Sequence, residues 1–208
     1  MKPNFEFGAE ITRRSILNSG FLTVGDALKN NARIIPAKIA IQFEGGKLTF
    51  AQLNSRANRL ANALSASGAV RGDRVAVLAE NRLEYCEIVY AAAKIGLIVP
   101  CLNWRLAPDE LKYCIELTTP ETILVSTLHR NLFEEIRDDL PFLKNIVWLD
   151  ESPEAEHEFS YASLIDGGAD REPGVRVTPE DALVIIYTSG TTGYPKGSII
   201  SHRAIFGR

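Results

Sequence analysis

VAVLAENRLEYCEIVYAAAKIGLIVPCL, from Val75 to Leu102, decides the fold. Its first five residues, Val75 to Ala79, are an apolar run of strand length without alternation, the texture of a strand buried on both faces. Leu83 to Ile95 reads as a mostly apolar helix, and Gly96 stands where its C-terminal cap belongs. Ile98 to Leu102 reads as another buried strand. Strand, helix, strand at this rhythm predicts a largely parallel sheet covered by helices on both faces. The segment is apolar enough to suggest a membrane span, but Glu87, Lys94 and Pro100 interrupt it. A buried helix running into a buried strand is the better reading, and no membrane span is expected.

The same alternation continues outward. Pro108 fits the first turn of a helix running to about Leu117, with Asp109 and Glu110 near its positive end. Thr122 to Val125, a helix around Asn131 to Leu140, and Ile146 to Leu149 extend the run. Upstream, Lys38 to Phe43 alternates, and Gly45-Gly46 turns the chain into Lys47-Leu48-Thr49, a small hairpin. Thr49 and Gln52 have capping-box spacing before a helix that puts Phe50, Leu53, Ala57, Leu60, Ala61 and Leu64 on one face. Gly68 ends that helix. No internal repeat is visible.

From Asp150 to about Val177 the texture changes to acidic residues broken by Pro153, Gly167, Gly168, Pro173 and Gly174. This reads as surface connection with one short helix near Tyr161 to Ile165, and its carboxylates as a solvated run rather than a metal site. The chain therefore divides into an α/β subdomain, 1–177, whose last part is the acidic linker near 150–177, and a segment 178–208. In the latter, Thr178 to Asp181 introduces a strand, Ala182 to Tyr187, followed by a polar loop and the start of the next helix.

Composition narrows the function classes. With 208 residues and 46% hydrophobic content, one or two domains with a sizeable core are expected. A net charge of −3 gives no basic face for a nucleic acid. Cys86, Cys101 and Cys114 form no CxxC pair and no metal-ligand spacing, so reduced, buried thiols are expected. There is no N-x-S/T sequon, and the opening MKPNFEFGAE has no apolar run of the signal-peptide kind, so a cytoplasmic location is expected.

The loop IYTSGTTGYPKG, Ile186 to Gly197, carries the chemistry. It follows a buried strand, at the edge where open α/β sheets bind ligands. Gly190, Gly193 and Gly197 permit close backbone approach, and successive N–H groups in such a turn can converge on an anion. Thr188, Ser189, Thr191 and Thr192 add hydroxyl donors, and Lys196 adds a positive charge. Donors and a cation without a carboxylate suit phosphate. The spacing excludes a Walker A loop, because five residues after Gly190 comes Pro195 and five after Gly193 comes Ser198. It also excludes a nucleophile elbow, since Tyr187 stands two before Ser189, and a dinucleotide fingerprint. A flexible polar turn is the competing reading of the loop taken by itself.

YTSGTTGYPKG closely resembles the phosphate-binding signature of the AMP-forming acyl-adenylate family: acyl-CoA synthetases, aryl-CoA ligases, adenylation domains of peptide synthetases and firefly-type luciferases. The resemblance extends through PEDALVIIYTSG, LNWRLAPDEL at Leu102 to Leu111, and LTFAQLNSRANRLANAL at Leu48 to Leu64. It covers nearly the whole chain from about Gly25. Tyr194 stands where leucine or arginine is often seen, and Ser198 where valine or alanine is common; neither removes a phosphate donor. The NWRL wording looks most like acyl-CoA ligases for fatty or related carboxylic acids.

The resemblance implies a two-step ligase reaction using ATP, Mg2+ and coenzyme A with a carboxylic acid substrate. Carried over by position, Thr188, Ser189, Gly190, Thr191, Thr192 and Gly193 wrap the triphosphate, Lys196 neutralises it as the catalytic cation, and Thr188 helps hold the metal. His202, in SHRA, matches a histidine common in the family, and a lone histidine is more often structural. Asn103 and Arg105 are expected to pair locally, and Arg71-Gly72-Asp73 to form a turn. Family members are more than twice this long, so the resemblance describes the N-terminal portion of such an enzyme, an incomplete N-terminal domain. The 208 residues alone are expected to be inactive, with a non-catalytic nucleotide-binding or interaction module as the alternative. An unpaired sheet edge after Ser201 is expected to invite self-association.

Overall fold

The computed structural model describes residues 22–151, 153, 156–188 and 195–206. Helix α1 (Val24–Ile34) leads into the hairpin β1 (Ile39–Phe43) and β2 (Gly46–Thr49), then helix α2 (Phe50–Ala66). The alternating region follows as β3 (Val75–Leu78), α3 (Leu83–Ile95), β4 (Val99–Cys101), α4 (Pro108–Thr118), β5 (Thr122–Val125), α5 (Arg130–Ile136) and β6 (Asn145–Trp148). The chain continues through β7 (Glu158–Ser160), α6 (Tyr161–Gly167), β8 (Ala182–Thr188), β9 (Lys196–Ser201) and α7 (His202–Ile205). None of the helices among the described residues is long and apolar enough to cross a membrane.

Among the described residues, seven strands form one sheet in the order β7-β6-β5-β3-β4-β8-β9. Every neighbouring pair is parallel except β8–β9, which is antiparallel. The expected largely parallel sheet with helices on both faces is what forms. Alternate residues of β3 feed different cores, as the period of two requires. Val75 and Val77 join α2 and α3 side chains on one face, including Leu60, Leu64, Ile88 and Ala92. Ala76 and Leu78 join Leu111 and Ile115 of α4 and Phe133 of α5 on the other.

Three elements differ from the sequence reading. The hairpin turn is Glu44-Gly45, both with positive φ (44° and 83°), and Gly46 opens β2. This is the geometry a two-residue hairpin needs to match the twist of its strands. The acidic linker also contains β7, which extends the sheet beside β6. Finally, Lys196 to Ser201, where the opening of a helix is expected, is the edge strand β9, paired with β8 from Ala182↔Ser201 to Thr188↔Lys196. A helix begins only at His202. KGSIIS has no alternation strong enough to announce a strand; the ladder supplied by β8 decides it.

The charges that interrupt the apolar segment at Glu87 and Lys94 are buried and paired. Glu87 is 1% exposed, receives Arg56 Nε at 2.7 Å and accepts the Tyr161 hydroxyl at 2.5 Å. Lys94 Nζ lies 2.7 Å from Glu172 Oε2. The linker is thereby strapped down rather than solvated along its length. Asn54, Asn58 and Asn62 stand four residues apart on one face of α2, and each reaches the strap. Asn54 donates to Glu172 at 2.9 Å, Asn58 to the Asp170 carbonyl at 3.1 Å, and Asn62 to the Ala169 and Arg171 carbonyls at 2.7 and 2.8 Å. Gly168 starts the strap so close to α2 that a Cβ there would lie 2.1 Å from the Arg59 carbonyl oxygen. The carbonyl carbon and Cα of Arg59 lie within 2.9 Å as well, and all three atoms are backbone, so none can yield. Gly168→Ala is expected to cost about 1–3 kcal/mol, read as a lower denaturation midpoint, through overpacking alone.

Candidate functional site

β8 and β9 present two candidate residues of the polar loop, Thr188 and Lys196. Thr188 closes β8 and Lys196 opens β9 as directly paired residues, with Thr188 Oγ1 donating to the Lys196 carbonyl at 3.4 Å. Directly opposed residues of an antiparallel pair project to one face, so the hydroxyl and the ammonium share a side of the sheet. Both residues are exposed. Ser189, Gly190, Thr191, Thr192 and Gly193 lie outside the described residues, as does Tyr194. Hydroxyl and ammonium, with no acidic partner among the described residues, are the donor set a phosphate needs and a poor cage for a bare cation. Among the described residues no group of three His, Cys, Asp or Glu could hold a metal. Thr188 could supply a divalent ion with one hydroxyl oxygen.

Thr188 stands at the carboxyl end of a parallel strand, the edge along which β3, β4, β5 and β6 also end. The chain steps from β3 outward to β4, then crosses back to β5 on the other side of β3. The crevice between β3 and β5 is therefore the topological switch point. A polar cluster lines it. Ser126 Oγ donates to Glu80 Oε2 at 2.7 Å, and His129 Nε2 lies 3.3 Å from the same oxygen. That second approach lacks hydrogen-bond geometry, and the nitrogen is buried without a hydrogen-bond partner among the described residues. Arg82 grips Asp150 through two bonds of 2.7 and 3.1 Å and reaches Glu84 at 2.9 Å. Burial opposes the charge on Arg82, but its bonds to Asp150 and Glu84 more than offset this and raise its pKa. Arg82 in turn holds the Asp150 carboxyl below its usual range. Burial lowers the His129 pKa against the pull of Glu80.

Trp104 stacks on His129 with ring centroids 5.2 Å apart, and the Arg105 guanidinium lies 4.4 Å above the Trp104 ring. Asn103 Oδ1 accepts from the Arg105 amide at 3.1 Å, the local pairing expected of it. The sequence reading missed this cluster as a group. The available signal was that AENR and NWR each directly follow a buried strand, and so reach the same edge. Arg71 and Gly72 form the expected turn, with Gly72 at φ 94° and Arg71 Nε bonded to Asp181 at 2.9 Å. His202 lies at the opposite end of β9 from Lys196, fully buried, and its Nδ1 accepts from the Val24 amide at 3.1 Å.

A family profile described as AMP-binding enzyme matches residues 28–207. Among curated proteins, the chain is 34% identical over 160 residues to the long-chain-fatty-acid–CoA ligase FadD13 of Mycobacterium tuberculosis, covering 76% of this chain and 30% of that protein. It is 34% identical over 185 residues to the indoleacetate–CoA ligase of Aromatoleum aromaticum, covering 88% and 36% respectively. The chain thus spans about a third of the length of these relatives. Among solved structures, the anthranilate CoA ligase AuaEII in complex with anthranoyl-AMP superposes with TM-score 0.82 at 29% identity, over 88% of this chain and 35% of that one. The inhibitor-bound N-terminal domain of FACL13 from Mycobacterium tuberculosis gives TM-score 0.80 at 31% identity, over 88% and 45%.

Proposed function

The chain belongs to the AMP-binding enzyme family, and we propose that it forms the N-terminal part of an ATP-dependent, AMP-forming acid–thiol ligase. In the first step a carboxylate oxygen of the substrate attacks the α-phosphorus of ATP. The bond from that phosphorus to the β-phosphate bridge breaks, and pyrophosphate leaves. In the second, the sulfur of coenzyme A attacks the acyl carbon, the acyl–AMP bond breaks, and the thiol proton passes to solvent. Fatty acids are the first substrates to test.

The observation that carries the reading is the pairing of Thr188 with Lys196 on one face, at the carboxyl end of a parallel strand, flanking the loop sequence SGTTGY. The carboxylate nucleophile is ionised near neutral pH without help, since its usual pKa is about 4. Adenylation therefore asks for charge stabilisation and alignment rather than a general base. Lys196 would neutralise the triphosphate. The Thr188 hydroxyl and the loop 189–193 would bond its oxygens, and Thr188 would help hold Mg2+, which would supply further charge neutralisation. Coenzyme A enters only at the second step.

The test is acid-dependent exchange of labelled pyrophosphate into ATP by the gene product isolated from its source cell, its intact mass recorded alongside. A panel from acetate through long-chain fatty acids to aryl acids is supplied in turn. At least one acid is expected to stimulate exchange, and a product silent with all of them would sink the proposal. The same assay on a 208-residue polypeptide is expected to stay at background, because Thr188 and Lys196 are exposed, with none of the described residues over them to exclude water.

A further inference from the structure

The hairpin that frames the loop is tied at its far end to α1 by one side chain. His202 begins α7 immediately after β9 and is 0% exposed. Its Nδ1 accepts the Val24 N–H, the first amide of α1, across 178 residues of sequence. The first amides of a helix have no partner inside it and need one from outside. Thr23 caps the Asp26 amide locally at 3.1 Å, and His202 supplies the long-range acceptor. Two backbone bonds from the same turn, His202 N–H to the Asp181 carbonyl and Arg203 N–H to the Pro179 carbonyl, tie the end of β9 to the start of β8.

We propose that His202 is a positioning residue, the pin through which the N-terminus of α1 holds the β8–β9 hairpin and thereby the frame of the 188–196 loop. The pin works only with a neutral ring. Nδ1 must be the acceptor, so the proton sits on Nε2, which is buried without a partner among the described residues. A second proton would set Nδ1–H against the Val24 N–H and place a cation at the positive end of α1. The charged groups facing the ring are Asp26 on α1 and Asp181 before β8, and both favour protonation. Burial outweighs them and keeps the ring below its ordinary value of 6.5. The sign follows. The unfolded chain takes up this proton first, so the pin is intact above about pH 6.5 and weakens as pH falls below it.

The inference does not depend on ligase activity, and its readout is local hydrogen exchange of the 208-residue chain, corrected for intrinsic rates. His202→Leu removes the acceptor. It is expected to lower protection of residues 24–28 and 197–201 together by about fivefold at pH 7.5, the scale of one buried hydrogen bond. His202→Asn keeps an acceptor that does not titrate and is expected to retain protection in both segments. Lowering the wild type from about pH 7.5 to about pH 5.5 is expected to loosen the same two segments, while the Asn variant stays unmoved. His129 shifts in the same direction, so global stability would blend the two histidines where local exchange separates them. Loosening of residues 24–28 without 197–201, or a pH response that survives in the Asn variant, overturns the proposal. If the Leu variant does not fold, the wild-type and Asn arms decide alone.

Discussion

Lys196→Ala is expected to lower acid-dependent ATP–pyrophosphate exchange by about 10²–10³-fold, the usual cost of removing one preorganised group that stabilises transition-state charge. The adenylation step moves negative charge onto the departing pyrophosphate, so a cation fixed against the phosphates helps the transition state more than bound ATP. The loss should therefore fall mainly on kcat, with a smaller rise in the KM for ATP. The geometry makes Lys196 suited to this. It opens β9 directly opposite Thr188, so its stem leaves a paired strand while its ammonium remains exposed and free to meet a phosphate. Lys196→Arg keeps the charge but replaces a rotatable ammonium with a planar fork, and an intermediate loss is expected. Unchanged exchange in the Ala variant would mean that Lys196 does not touch the phosphates.

The largest effect on stability is expected at Arg56. Arg56→Met should cost about 3–5 kcal/mol, the range for breaking a buried ion pair by removing one partner. The asymmetry lies in exposure: the Arg56 side chain is 37% exposed and that of Glu87 only 2%. Removing the arginine strands a carboxylate in the core with the Tyr161 hydroxyl as its remaining polar partner. Removing the glutamate leaves a guanidinium that can turn toward water. The double variant Arg56→Met, Glu87→Leu should recover most of the loss, because no charge then remains buried. Urea denaturation of the four proteins measures the cycle. A cost under about 1 kcal/mol for Arg56→Met would show that Glu87 is solvated in the folded chain.

The network also shows what a purely local reading of Glu87 and Lys94 leaves out. In the sequence they are interruptions of an apolar helix. In the fold Glu87 joins α2, α3 and α6, and Lys94 ties α3 to the strap. Their partners lie 31, 74 and 78 residues away, beyond any window in which periodicity is read. The asparagines at 54, 58 and 62 carried a legible spacing, one face of a helix. Asn54 binds the Glu172 side chain, while Asn58 and Asn62 bind backbone carbonyls of the strap, and a carbonyl leaves no mark in a sequence.

The alternation of buried strands and helices from Val75 to Leu149, the capping box at Thr49 and Gln52, and the loop signature at Thr188 to Lys196 were all determined by the sequence itself. Each is written in a stretch of a few to about twenty residues, where side-chain period and backbone preference act locally. The tertiary structure alone decided three further things. Lys196 to Ser201 became a strand because β8 offers a ladder. The acidic linker became a strap because α2 presents amide donors to its carbonyls. His202 became the pin between the two ends of the described chain because the first amide of α1 lacked an acceptor. In each case the deciding partner is a group on another element (the ladder of β8, the asparagines of α2, the first amide of α1), and its free energy exists only once the chain has brought the two together.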